Sequence, residues 1–384
     1  MVRSRVTLAS LVGWVCLSSA SVALAGSVPS EQAPIDWKLF QSLWLKDLRR
    51  STPEERILPV YSERKALSFL DGVALKWTRQ NRCGTCHTTI AYLMARPQAG
   101  GPVNQAALTE VRSTVSAFAS YEAAKQTDIS TIIAGAAVAA FTVGDAARGR
   151  PLQRDTRELF DFLWKSQESN GSWVVRAEGL LPFLERDPRY LALLVALAVG
   201  YAPDRYYDDP SARTGFAKLR GYLHDNPPEN VHEKAVLLWA SVRTPGLLSS
   251  EQQADYERSL LALQKPDGGW SLASMGSWPR HDGAPNSPTS ASDGYATSLA
   301  ALALCQRGYT VKAAPVQHAV TWIQHHQRVS GRWYTRSMFS DGFQNYLSNM
   351  GTAYAVMALG SCAAKHPDGP LAPTVSSATT SSTR

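Results

Sequence analysis

The sequence predicts an all-α protein whose helices pair and close into a double ring, an α/α toroid with apolar helices inside amphipathic ones. Three observations carry this. The string Gln-x-x-x-Gly-x-Trp recurs at Gln167–Gly171–Trp173, Gln264–Gly268–Trp270 and Gln327–Gly331–Trp333, each time after a helical-looking apolar segment, and such self-similarity marks a repeat architecture. Segments apolar on nearly every side alternate with amphipathic ones, and convincing β alternation is lacking. A helix apolar all round must be buried all round, whereas an amphipathic one can sit outside it; pairs of this kind stacked until they close form a ring.

The chain opens as an export signal. Arg3 and Arg5 precede a largely apolar run from Val6 to Ser21, and Ala23-Leu24-Ala25 fits small-residue cleavage, so residues 1–25 read as a signal peptide and the mature chain as periplasmic or secreted. The run is short for a membrane anchor, and after it no apolar stretch is long enough to span a bilayer. Of 384 residues, 44% are hydrophobic, ample for a large core. The formal charge of +7 includes Arg3 and Arg5, and the rest is scattered without a Lys/Arg block, so nucleic acid is not an expected partner.

Residues 31–125 read as an N-terminal helical part. Trp37, Phe40, Leu43, Trp44 and Leu48 form an amphipathic stripe, as do Leu67, Leu70, Val73, Ala74 and Trp77, so 31–80 is expected to be helical. A fourth, degenerate copy of the repeat string follows at Gln80–Gly84–Cys86, with Cys in place of Trp. Thr89 to Met94 restarts a helix that ends near Pro97, Gln98–Pro102 is a Gly-rich turn, and Leu108 to Ala124 is helical again.

Residues 126–363 carry the alternation. Ile132–Val143, Tyr190–Val199, Val231–Val242, Tyr295–Leu304 and Thr352–Leu359 are largely apolar. Thr156–Gln167, Phe216–Leu223, Tyr256–Gln264 and Val316–Gln327 are amphipathic, three of them leading into a Trp loop. Residues 364–384, rich in Ser, Thr and Pro, cannot bury enough apolar surface to order and read as a disordered tail.

The repeat resembles the squalene/oxidosqualene cyclase and protein prenyltransferase superfamily of α/α toroids, whose QW repeats the three Trp loops look like. Ser287–Leu302 is similar to the stretch that follows such a loop, with Asp293 where the family often has Gln, and Gly342–Gly360 is similar to the cyclases' C-terminal stretch. The resemblance covers roughly 130–362, and 60–97 if the degenerate copy counts. It implies the fold, while chemistry must come from a site. The repeat residues themselves read as scaffold: Gln bonds the end of a neighbouring helix, Gly makes the turn and Trp packs over the junction. The sequence lacks the cyclases' Asp-x-Asp-Asp string, the prenyltransferases' zinc pattern and the Cys-Gly-Glu-Gln thioester of complement-like toroids. Asp208-Asp209, followed by Pro210, reads as a turn.

The chemistry on offer is Cys83-x-x-Cys86-His87, the sequence form of c-type haem attachment. Two thiols at this spacing reach the two vinyl groups of one haem, and the adjacent His87 supplies the proximal iron ligand. A Cys83–Cys86 disulfide, a redox-active dithiol and zinc compete; zinc needs four ligands and only these three cluster. Met94 lies too close to His87 in sequence to reach the opposite haem face. His224, His232, His281, His318, His325, His326, Met275, Met338 and Met350 are distant sixth-ligand candidates, none singled out by spacing. Cys305 and Cys362 lie in apolar helix patterns and read most simply as buried thiols, with a mutual bond left open.

The loop Leu272–Ser292 is the other candidate. Its His281 and Asp282, beside Trp278 and Arg280, could bind sugar or act as acid and base, and the competing reading is a surface loop without chemistry. Asp293 is a third weak catalytic candidate. Tyr295, Trp239, Tyr334, Phe339, Phe343, Tyr346 and Tyr354 could line the ring's centre and suit an apolar, terpenoid-like ligand, or form plain core. The leading expectation is an exported toroid with covalent haem c, in a redox or sensing role, with a redox partner or an apolar small-molecule ligand. The alternatives are a haem-free toroid enzyme (a terpenoid cyclase relative, or a glycan lyase or hydrolase) and a binding or scaffold module.

Overall fold

The computed structural model describes residues 51–363 apart from 101, 128, 176–186, 281, 339–340 and 342–345. The expected signal peptide, the stripe from Trp37 to Leu48 and residues 364–384 lie outside the described residues. Within them the regular structure is helical, with one isolated bridge between Ile57 and Arg328.

In chain order the helices are α1 (Glu63–Asn81), a π-turn at Cys86–Ile90 running into α2 (Ala91–Ala95), α3 (Gln105–Lys125), α4 (Ser130–Ala146) and α5 (Arg154–Lys165). Then come α6 (Pro188–Tyr201), α7 (Arg213–Asp225), α8 (Val231–Ser241), α9 (Ser250–Leu261), the short α10 (Leu272–Met275), α11 (Gly294–Gln306), α12 (Ala314–His325) and α13 (Tyr346–Ala363). Their starts follow the sequence: Asn104 and Asn230 cap α3 and α8 through their side chains, Ser249 and Gln252 form a capping box on α9, and prolines open α6 and α12.

Burial sorts them into two sets. Helices α4, α6, α8, α11 and α13 bury almost every side chain. Helices α5, α7, α9 and α12 bury one stripe each, such as Leu159, Phe160 and Leu163 on α5. Among the buried set, α2 packs on α4, α4 on α6, α6 on α8, α8 on α11, α11 on α13, and α13 back on α2. The amphipathic helices lie against them: α3 and α5 on α4, α7 on α6, α9 on α8, α12 on α11 and α1 on α13.

The three repeat loops tie one amphipathic helix to the next. Each Gln donates to the carbonyl of its own loop glycine and to the start of another helix: Gln167 to Gly171 and Gly215 (3.0 and 3.0 Å), Gln264 to Gly268 and Pro315 (2.9 and 2.9 Å), Gln327 to Gly331 and Ser62 (3.0 and 3.0 Å). Each Trp indole donates back to the preceding helix, Trp173 to Leu163, Trp270 to Leu260 and Trp333 to Ile323, at 2.7, 2.8 and 2.6 Å. The glycines turn with φ of +91°, +89° and +100°, and at Gly331 a Cβ would run into the Lys65 carbonyl of α1. The scaffold reading of these residues stands.

Three expectations are corrected. The string at Gln80–Gly84–Cys86 is not a fourth copy: Gln80 is exposed near the end of α1, and Gly84 is not among the positive-φ glycines. Residues 51–62 are not helical; Pro53 and Pro59 interrupt the helical pattern, and the segment runs along the Trp333 loop. There Leu58 donates to the Gln327 carbonyl (2.7 Å), Val329 donates to the Arg56 carbonyl (2.9 Å), and Glu55 takes Ser330 N (3.0 Å) and Arg332 Nε (2.9 Å). Finally, Cys305 and Cys362 form a disulfide that joins α11 to α13, with Cα atoms 5.1 Å apart.

Candidate functional site

Helix α1 stops at Arg82, which takes a left-handed conformation (φ 50°) and donates from its backbone to the Thr78 carbonyl. The chain then turns inward. Cys83 is fully buried, and Gly84 lies against Val115 and Phe118 of α3. Thr85 and Thr89 lock the next turn: Thr85 N donates to Thr89 Oγ1 at 2.9 Å, and that hydroxyl donates to the Thr85 carbonyl at 3.3 Å. Ile90 N reaches the same carbonyl at 3.0 Å, so the backbone winds as a π-turn that starts at Cys86. π-Turns inside helices occur frequently at functional sites.

Both Cys83 and Cys86 keep their thiols, in a chain whose other described cysteines have paired. His87 is 8% exposed, its ring 5.8 Å from that of Tyr346. Burial pushes the Cys86 thiol up to about 12 and the His87 imidazole down to about 3, so at neutral pH the pair is a thiol beside an uncharged imidazole and not a thiolate–imidazolium dyad. Cys86 and His87 line a void of about 20 Å³ together with Met94, Tyr190, Met350 and Tyr354. Of the distant sixth-ligand candidates among the described residues, Met350 is the one that lines this void. His318 and His325 are exposed on α12, His224 is exposed beside Asp225, and Met338 and His326 line a separate cleft.

The donor set is the right one for haem c, two thiols and a neutral imidazole on one turn. The space is not there as packed: a void of this size holds about one water, whereas small-molecule pockets run from ~300 Å³ upward. A macrocycle fits only with the side chains around the void moved aside. Among the described residues no three His, Cys, Asp or Glu side chains are grouped to hold a metal ion.

The second set of candidates falls elsewhere. Asp293 caps α11, and its carboxylate takes four donors: Tyr295 N (3.1 Å), Ala296 N (3.0 Å), Thr335 Oγ1 (3.2 Å) and Leu272 N (2.6 Å). Burial nevertheless lifts its pKa to about 6. Asp282 is held by the buried Arg280 guanidinium at 3.0 and 2.7 Å, which lowers it to about 2. His281 lies outside the described residues. Trp278 packs edge-on against His232 at 5.6 Å.

Sequence reasoning named His232 only as a distant sixth-ligand candidate and missed the group around it. This fully buried ring bonds Tyr295 Oη at 2.7 Å and packs against Tyr190, and burial pushes its pKa down to about 3. Tyr295, Tyr354 and Trp239 continue the cluster, while Tyr334 lines the separate cleft. Phe339 and Phe343 are outside the described residues. The available signal was a lone His at the start of the largely apolar α8, a pattern that more often marks a hydrogen-bonded core residue.

No family model matches the chain, and no curated protein matches it. Among solved structures, a crystal structure of a protein from Actinoplanes is similar at 14% identity, over 79% of this chain and 100% of that one, with a TM-score of 0.44. A likeness at that level carries no argument about function.

Proposed function

We propose that the chain is an exported α/α toroid, of the kind built by the cyclase–prenyltransferase superfamily, that carries covalent haem c on Cys83 and Cys86 with His87 as proximal ligand, in a redox or sensing role. Support for the ring is the circuit of contacts from α2 through α13 back to α2, and the tie from Gln327 at the end of the repeats to Ser62 before α1. The observation that carries the haem reading is the retention of both thiols one turn from a neutral, buried imidazole, on a void that Met350 also lines. Bound there, haem would supply one-electron or gas-binding chemistry, depending on whether its sixth position is filled. The chain's own residues would contribute in two ways. Burial holds His87 in the uncharged form that a metal ligand must have, and Tyr190, Leu194 and Tyr354 wall the site from water.

The small size of the void at Cys86 and His87 favours a second reading, a haem-free binding scaffold in which Cys83 and Cys86 are packing thiols. Intact mass under denaturing conditions separates the two. After expression in a host that matures c-type cytochromes, the first reading requires a mass raised by one haem, absent from Cys83→Ala/Cys86→Ala. The second requires the mass of the processed polypeptide alone.

A further inference from the structure

A cleft of about 660 Å³ opens between segment 51–54, the loop after Trp270 and the loop that carries Trp333. It is separate from the void at Cys86 and His87, and its size lies within the ~300–1,000 Å³ typical of small-molecule sites.

Several polar groups on its walls have bonding capacity that the fold does not use. The Ser271 side chain is 1% exposed, and its hydroxyl has no hydrogen-bond partner among the described residues. A buried hydroxyl in that condition is costly unless something occupies it. Arg328 Nε is likewise a donor without an acceptor among them. His326 is stacked on Trp322, ring centroids 4.1 Å apart, and its Nδ1 contacts the Trp322 carbonyl at 2.8 Å. A carbonyl only accepts, so Nδ1 carries the proton there and Nε2 is the ring nitrogen left for another partner.

The charges on the walls, in contrast, are mostly settled. Arg336 grips Asp341 through two bonds of 2.9 and 2.7 Å. Asp267 takes the Trp322 indole (3.1 Å) and the Ser292 hydroxyl (2.8 Å), Asp293 has its four donors, and Arg328 Nη1 donates to the Glu55 carbonyl (2.7 Å). Glu54 sits exposed at the rim.

We propose that this cleft binds a neutral saccharide. A phosphate or carboxylate offers only acceptors and would meet the carboxylates of Asp267, Asp293 and Asp341 on the walls. An amine offers only donors and would meet the Arg328 donor. A sugar hydroxyl gives and accepts at one atom, so it serves Ser271, Arg328 and His326 alike, and the rings of Tyr334 and His326 offer flat apolar faces to its C–H groups. The paired charges favour a ligand that carries none.

The test is calorimetric titration of the folded chain with maltotriose, cellotriose and triacetylchitotriose, with trigalacturonic acid and spermidine as charged comparators. At least one neutral trisaccharide binds, and Ser271→Ala and Tyr334→Ala each weaken it about tenfold, the worth of one good hydrogen bond or contact, with the thermal unfolding profile retained. Absence of binding by all three neutral sugars, tighter binding of a charged comparator, or neutral binding that survives both substitutions overturns the proposal. Haem content is read by mass and saccharide binding by heat, so either proposal can fail alone.

Discussion

The Gln327 side chain bonds Ser62 in both directions: its Nε2 donates to the Ser62 carbonyl at 3.0 Å and its Oε1 accepts from Ser62 N at 2.7 Å. Ser62 is the N-cap of α1, and Gln327 opens the last repeat loop. One buried amide thereby joins the two ends of the helical circuit. The other repeat glutamines also tie two helices, but the contacts shown for them run through the Nε2 donor alone.

Gln327→Ala should therefore destabilise the protein more than Gln167→Ala. It removes three hydrogen bonds and leaves buried backbone groups unmatched, a loss of about 2–4 kcal/mol. Chemical denaturation of the two variants checks the order, and equal losses would show that the closing tie holds no more than an internal one.

Gly331→Ala should cost about 3 kcal/mol or more, because φ is +100° and a Cβ would strike the Lys65 backbone. Thermal or denaturant unfolding measures it. A variant of native stability would mean that the loop and α1 move apart freely.

Cys305→Ser/Cys362→Ser should lose about 4 kcal/mol, the loop-closure value for a bond spanning 57 residues. Thiol titration of the unreduced, denatured wild type should not detect these two cysteines; detecting them would refute the pairing.

Acid should destabilise the fold through His232. Its folded pKa, about 3, lies below the ordinary histidine value of 6.5, so the unfolded chain binds the extra proton between those values. The stability it contributes is complete above about pH 6.5 and is lost as pH falls toward 3. His232→Phe should flatten the acid limb by roughly one proton, on the order of 1.4 kcal/mol per pH unit. Asp293 acts in the opposite sense: raised to about 6, it favours the fold below the ordinary carboxylate range, and that contribution is lost as pH rises through 6. Denaturation curves from pH 4 to 8 read both, and an unchanged slope in His232→Phe would contradict the neutral buried ring.

Much of the architecture was legible because its cause is local. Fully apolar helices such as Ile132–Val143 can only be buried, and Gln, Gly and Trp at fixed spacing carry the whole geometry of a repeat loop within themselves. What escaped depends on partners distant in the chain. The strap at 51–62 holds through backbone bonds from Leu58 and Val329 and through Glu55, none of which leaves a periodic trace. The Cys305–Cys362 bond needed the packing of α11 on α13. Gln80–Gly84–Cys86 matched the string at Gln and Gly alone, and lacks a buried Gln and a left-handed Gly. At the candidate site, Cys86 and His87 were visible as a motif. That Met350 shares their void, and that the void is small, follows only from how α13 crosses α2. The His232 cluster gathers rings from α6, α8 and α11 and had no shared spacing to betray it.

The measurement closest to the central claim is an absorption spectrum, oxidised and reduced, of the chain produced with a c-haem maturation system, beside Cys83→Ala/Cys86→Ala. The account predicts a Soret band that stays with the polypeptide after denaturation and is absent from the double variant. A colourless wild-type protein in which Cys83 and Cys86 both titrate as thiols would contradict it.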